Sequence, residues 1–182
     1  MKKTMIASLV ALSALASGMA NAADPNAGTI DLTFEGTVST QTCALEPSVN
    51  NQANTKVRLG QTDKTKLGAE IDVVFKPTAA SAAACGGATS NFVMQWEGAG
   101  KSAFGANGLS AETGSAASDS FVVIKAVNAA TNNNTMANTE GFQYEFNKDK
   151  VTTDGLQYKV ALQGGSVVGD MTAAATVKHW YK

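Results

Sequence analysis

For metal binding or nucleophilic catalysis, this 182-residue chain offers two cysteines, Cys43 and Cys85, and one histidine, His179. Its 15 Asp and Glu residues leave paired carboxylates open, but nothing in the sequence places two of them on adjoining strands. A structural zinc site needs about four Cys or His ligands, and a nucleophilic cysteine needs a base beside it. One histidine cannot supply a ligand cluster, and it stands beside Trp180 and Tyr181 with no obvious nucleophile. We therefore interpret His179 as structural and predict no metal, no cofactor and no enzymatic activity.

The stretch GAGKS over residues 98–102 ends like a phosphate-binding loop. The full pattern needs a second glycine five residues before Gly100, and that position holds Gln95. No strand-to-helix context follows it. We predict a surface turn there rather than a nucleotide site.

The N-terminus has the three parts of a secretory signal peptide: a head of two lysines, an apolar run over residues 5–16 and a closing GMANA segment. Cleavage after Ala22 would remove residues 1–22 and leave 182 − 22 = 160 residues, with a formal charge of 12 − 15 = −3. A mildly acidic chain without a basic stripe indicates no nucleic-acid partner. No second apolar run is long enough for insertion into a membrane.

Export would place the two cysteines in an oxidising compartment, where a disulfide is the default and only one pairing exists. Between Cys43 and Cys85 lie 41 residues. Closing a loop of that length contributes about 3–4 kcal/mol in the chain-entropy model. We therefore predict a Cys43–Cys85 disulfide.

Short segments in which apolar and polar residues alternate recur along the mature chain, separated by small polar residues. Only residues 79–85 (AASAAAC) could form one or two helical turns. Many short strands at this spacing are typical of a single-domain all-β sandwich. The predicted strands cover residues 55–60, 70–77, 91–98, 120–127, 141–146, 156–162 and 171–181.

Residues 28–38 (GTIDLTFEGTV) form an alternating segment with a glycine on its apolar face. A strand with this period buries one face, and a glycine within a strand marks the close approach of another backbone. The first cysteine, Cys43, follows this glycine by seven residues. The apolar face carries Ile30, Leu32, Phe34, Gly36 and Val38.

The C-terminus carries a second alternating segment. Gly169 is the fourteenth residue from the end, and Tyr181 is the penultimate residue. One face of the strand between them carries Met171, Ala173, Ala175, Val177 and His179, and Tyr181 shares that face.

Together these features resemble the chaperone–usher pilins, the structural subunits of type-1-like and P-like fimbriae. Pilins have an alternating N-terminal extension with a glycine, a cysteine shortly after it, a second cysteine further on and the same glycine-to-tyrosine C-terminus. The resemblance is sharpest over residues 28–43 and 155–182 and is a general agreement of strand pattern over 90–150. His179 departs from the family pattern, because pilins usually carry an aliphatic residue at that inward position.

The resemblance implies an all-β fold: an incomplete immunoglobulin-like β-sandwich that lacks its final strand and is completed by donor-strand exchange. It divides the chain into a signal peptide (1–22), an N-terminal extension or donor strand (23–38) and a pilin domain (39–182). The donor side chains Ile30, Leu32, Phe34 and Val38 are expected to fill a neighbour's groove, and Gly36 to fit where no Cβ has room. The strand from Gly169 to Tyr181 is expected to be recognised by a chaperone.

The implied function is that of a structural subunit that polymerises head-to-tail into an adhesive fibre on the bacterial surface. The implied partners are copies of the chain or sister pilins, a periplasmic chaperone and an outer-membrane usher. Long Asn- and Ala-rich loops favour a major rod subunit. Three alternatives stay open: a minor adaptor pilin, a secreted β-sandwich that binds a host glycan or protein, and a complete sandwich whose first strand is residues 28–38.

Overall fold

The computed structural model describes residues 43–182. The predicted signal peptide (1–22) and N-terminal extension (23–38), with Ile30, Leu32, Phe34, Gly36 and Val38, lie outside the described residues. The described part contains β1 (Leu45–Val49), β2 (Gln52–Ala53), β3 (Ile71–Pro77), α1 (Ala82–Gly86), β4 (Phe92–Ala99), β5 (Phe104–Gly105), β6 (Gly108–Ser110), β7 (Phe121–Ala126), β8 (Phe142–Phe146), a 3-10 turn (Lys148–Val151), β9 (Leu156–Gln163) and β10 (Ala174–Tyr181).

Within residues 43–182 the strands form two sheets. The larger has the order β2-β1-β3-β9-β7-β6-β5, and the smaller has the order β10-β4-β8. Every ladder between these strands is antiparallel. Both sheets contribute buried side chains to one hydrophobic core. This is the predicted all-β sandwich of immunoglobulin-like type.

Aromatic rings join the two sheets at the centre of the core. Tyr158 of β9 lies edge-on to Trp96 of β4 and to Tyr144 and Phe146 of β8, with ring centroids 5.2, 5.4 and 5.7 Å away. Phe75 of β3 reaches across to Trp96 at 6.0 Å. Edge-to-face pairs at such distances stabilise beyond the area that they bury. The alternation of β4, β8 and β9 therefore places large rings where the sheets meet.

The disulfide predicted from the sequence is present between Cys43 and Cys85. Both cysteines are almost completely buried. Cys85 lies in α1, the short helix that follows β3, and Cys43 lies just before β1. The bridge therefore ties the start of the described chain to the segment between β3 and β4.

The structure confirms six of the seven predicted strands as β3, β4, β7, β8, β9 and β10, and α1 overlaps the predicted helical turns. The predicted strand at 55–60 is wrong, because this segment joins no ladder. Its alternation has another cause: Val57 and Leu59 pack against the core from a loop. The short strands β1, β2, β5 and β6 were not predicted.

As predicted, GAGKS forms a turn, closed by a hydrogen bond from Ser102 N to Ala99 O (3.0 Å).

Two buried tyrosines differ in their hydrogen bonding, and this predicts a difference in stability. The Tyr144 hydroxyl reaches Thr135 O (2.8 Å) and Ile124 O (3.0 Å). The Tyr158 hydroxyl lies near Trp96 Nε1, and neither atom meets hydrogen-bond geometry with a described residue. We expect Tyr144→Phe to lower the free energy of unfolding by about 1 kcal/mol. The matched Tyr158→Phe should change the free energy of unfolding much less. Urea unfolding of the mature chain measures both values. Equal losses would contradict the difference in hydrogen bonding between the two hydroxyls.

Candidate functional site

A long open groove runs between the two sheets, and its volume is about 1810 Å³. Small-molecule sites usually measure about 300–1,000 Å³. The groove is therefore larger than such a site and open along its length. Its shape suits an extended peptide segment.

Apolar side chains from both sheets form the floor of the groove. The larger sheet supplies residues from β3, β6, β7 and β9, and the smaller sheet supplies residues from β4 and β10. Val57 and Leu59 line it from the loop after β2. Floor residues include Val73, Phe75, Leu109, Val122, Ile124, Val160, Leu162, Trp96 and Val177. Sequence alternation identifies most of these side chains as inward-facing. The absence of a covering strand in the described chain is visible only in the structure.

The smaller sheet ends at β10, which pairs with β4 alone among the described strands. The opposite edge of this eight-residue strand has no β-ladder partner in the described residues. An unpaired edge presents a row of backbone N–H and C=O groups to any strand that approaches it. An apolar groove and an open strand edge therefore lie side by side.

The residues predicted for the C-terminal strand come together along this edge. Met171, Ala173, Val177 and Tyr181 pack against the core but are only partly buried, and Ala175 is exposed. Of the predicted face, Met171, Ala173, Ala175 and Val177 line the groove. The inward face of β10 is therefore half covered, as expected of a wall from which one strand is missing.

The tip of β10 is bound to both halves of the disulfide. The Tyr181 hydroxyl donates to Cys85 O (3.0 Å), and His179 Nε2 lies 2.9 Å from Cys43 O. Both rings also lie against Phe92, with centroids 4.9 Å and 5.5 Å away. Partial burial raises the pKa of the Tyr181 hydroxyl above its ordinary value. The histidine that departs from the pilin pattern therefore has a structural hydrogen bond.

Gly169 sits at a sharp bend before β10, and its backbone requires glycine. Its φ is +145°, and a Cβ added to it would lie 2.5 Å from Cβ of Ala116. The segment that follows is bound to the loop before β7: Glu112 N donates to Thr172 O (2.7 Å), and Ala117 N donates to Asp170 O (3.1 Å). The bend and these bonds set the point at which β10 begins.

Two ion pairs on the outer face join β10 and the residue after it to the smaller sheet. Lys178 Nζ lies 2.6 Å from Glu97, and Lys182 Nζ lies 3.0 Å from Glu145. Hydrogen bonds, first that from Lys178 to Glu97 and that from Asn91 to Glu145, lower the pKa values of both carboxyl groups. Exposed pairs of this kind contribute little to stability. The register of β10 therefore depends on its ladder with β4.

No group of three or more His, Cys, Asp or Glu side chains within residues 43–182 is placed to hold a metal ion. In the same residues, no helix is both long and apolar enough to cross a bilayer.

The predicted donor residues, over 28–38, lie outside the described part of the chain. Their role as a donor strand therefore stays a prediction.

Comparisons with known proteins point to fimbriae. The F107 fimbrial protein of Escherichia coli is 30% identical over 183 aligned positions, which cover 100% of both chains. The K99 fimbrial protein of Escherichia coli is 35% identical over 81 residues, 44% of this chain and 42% of that protein. The crystal structure of the P pilus rod subunit PapA matches with a TM-score of 0.52 at 15% identity, over 84% of this chain and 100% of that one. No family model matches.

The bond from Tyr181 to Cys85 predicts a small, specific loss of stability. Tyr181→Phe keeps the ring on Phe92 and removes only the hydroxyl, so the free energy of unfolding should fall by about 0.5–1.5 kcal/mol. Urea unfolding of the mature chain measures this. Trp180→Phe is the neighbouring control, because Trp180 takes no part in this bond. A loss no larger than that of the control would show that the bond does not hold the tip of β10.

Proposed function

The chain belongs to the chaperone–usher pilin family of fimbrial subunits, and we propose that it polymerises head-to-tail by donor-strand exchange as the major subunit of its fibre. As a fimbrial subunit it is a structural protein and not an enzyme. One observation carries the proposal: the unpaired edge of β10 borders an apolar groove that no described strand fills.

The acceptor in this proposal is the groove. A strand laid along β10 would add a ladder to the smaller sheet and cover the partly buried side chains of Met171, Ala173 and Val177. Recognition by strand addition uses these two components: backbone hydrogen bonds for affinity and alternate side-chain pockets for specificity. Because every described ladder is antiparallel, we propose an antiparallel donor.

The donor is residues 28–38 of a second copy or of a sister pilin. Burying Ile30, Leu32, Phe34 and Val38 is worth about 1.5–3 kcal/mol each, or about 6–12 kcal/mol before ordering costs. The ladder adds about 1 kcal/mol for each net hydrogen bond. At Gly36 the donor backbone can approach closely, because glycine has no Cβ. These terms favour a junction that dissociates slowly.

The length of the chain disfavours filling the groove in cis. An antiparallel donor would bring Val38 to the start of β10, whereas Cys43 lies beside His179 near the other end. The five residue steps from Val38 to Cys43 extend about 17 Å at most, and the span from Ala174 to His179 takes up about the same distance. No residue would remain for the reversal of direction, which needs a turn of at least about two residues. In the proposed antiparallel direction, the segment therefore fits a neighbour's groove better than its own.

Donation in trans makes the contact heterologous, with a groove on one copy and an extension on the next. Contacts of this kind do not close on themselves and generate filaments. An empty groove beside an open edge is also an aggregation hazard. This supports a periplasmic chaperone that occupies the groove during export and an outer-membrane usher at which the exchange delivers the subunit to the surface fibre.

Gly36→Leu tests the donor. A leucine side chain where only hydrogen fits should slow polymerisation about ten-fold or more, because overpacking costs about 1–3 kcal/mol. The control is Thr37→Leu, which places the same side chain on the opposite face of the strand. Sedimentation and electron microscopy of polymer formed from the chaperone complex measure the rate. Polymerisation of Gly36→Leu at the normal rate would overturn the proposed donor.

Deleting this chain from cells that secrete it tests whether it is the major subunit. Exposed, Asn-rich loops such as residues 131–135 support a rod subunit that covers the length of the fibre. We expect abundant fibres to disappear in electron micrographs and to return when the chain is supplied again. Shortened or tipless fibres would instead identify a minor adaptor, and unchanged fibres would favour a secreted binding module.

A further inference from the structure

Among the described residues, the exposed large apolar side chains lie in two places. Leu67, Val167 and Val168 lie in two adjoining loops, and we call them the apolar rim; Val168 is 69% exposed. All three line the groove. The fourth is Trp180, near the end of β10, at 38% exposure. A soluble domain normally covers clusters such as the rim, so these positions indicate a contact surface.

The rim is held in place by hydrogen bonds beneath it. Its two loops bind each other through Gly164 N to Lys66 O (2.9 Å) and Thr65 N to Gly165 O (3.1 Å). Asp119 accepts from Ser166 Oγ (2.6 Å), Ser166 N (2.7 Å) and Val167 N (3.1 Å). These bonds, that of the Ser166 hydroxyl first, hold the pKa of Asp119 below its usual value. The valines are thus presented to solvent on a fixed backbone, which reduces the ordering cost of binding.

The rim and Trp180 belong to opposite ends of β10. Val168 precedes β10 by six residues, just before the Gly169 bend. Trp180 is next to His179, whose ring lies 2.9 Å from Cys43 O. The eight residues of β10 span about 24 Å. One copy therefore carries the rim near the start of β10 and the exposed Trp180 near its end.

The proposed function brings these two surfaces together. An antiparallel donor leaves its neighbour's groove where β10 begins, which is the end that carries the rim. The donor's own domain starts at Cys43, five residue steps after Val38 and so within about 17 Å. That domain therefore presents its disulfide end, with Trp180, toward the rim.

We propose that the apolar rim of one copy is a docking surface for the domain of the donor copy, and that Trp180 of the donor copy faces the rim. This proposal rests on the proposed function. Successive subunits would then be joined by two contacts, the donor strand in the groove and the rim against the next domain. A substitution in the rim would remove the rim contact and leave the donor strand in the groove. Its effect would be on how long the fibre survives, more than on whether the fibre forms.

Fibres isolated from bacteria that make the full chain provide the test. The half-time of dissociation on heating in denaturant is measured for the wild type, Val168→Asp, Trp180→Lys and the double variant. Each single variant should dissociate about ten-fold faster, because it loses a buried apolar contact. In the double variant the opposite charges face each other and should restore a substantial part of the lost half-time. Thr131→Asp, on an exposed loop elsewhere, is the control for an added charge.

Folding is checked separately by the near-ultraviolet circular dichroism of each chaperone complex, and Val168→Ser serves as a milder variant with a smaller expected effect. Wild-type half-times for both single variants, or singles whose effects simply add in the double, would overturn the rim contact. A weakened chaperone complex together with normal fibre half-times would assign the rim to the chaperone instead. Failure of the donor-strand model itself is distinguishable, because Gly36→Leu would then form normal fibres.

Discussion

An apolar groove beside an unpaired strand edge is the constraint on which the rest of this structure depends. Aromatic contacts join the two sheets, from Tyr158 to Trp96 and Tyr144. A groove lined by both sheets lies beside β10. A fold with this arrangement has a core that is strong enough to hold its shape and a remaining surface that water solvates poorly. Its need for a partner arises from its own topology.

The C-terminal strand illustrates how a few fixed points maintain an open edge. Gly169 permits the bend that directs the chain into β10, and the ladder with β4 keeps the strand on its sheet. At the far end, His179 and Tyr181 bind the carbonyl groups of the two bridged cysteines. Because both ends are anchored, the middle of the strand can remain accessible without collapsing into the groove.

Much of this architecture could be predicted from the sequence, because period-2 alternation reports directly which side chains face inward. The same signal failed at residues 55–60, since Val57 and Leu59 pack inward from a loop without a ladder. The hydrogen-bond partner of His179 could not be predicted, because Cys43 is 136 positions away. Asp119 and the loop that it fixes carry no periodic pattern at all. Alternation identifies the inward face of each strand. Only the assembled sheets show which of these faces no strand covers.

The direction of β10 has a mechanical consequence for a fibre assembled in this way. The donor strand would lie along the whole of β10 and leave at its first residues, so a pulling force would act nearly along the strand axis. Ladder hydrogen bonds between antiparallel strands are perpendicular to that axis. Tension would therefore load all the bonds in shear at once, and none could be peeled open before its neighbours. Such a filament resists extension far better than the free energy of any single bond suggests.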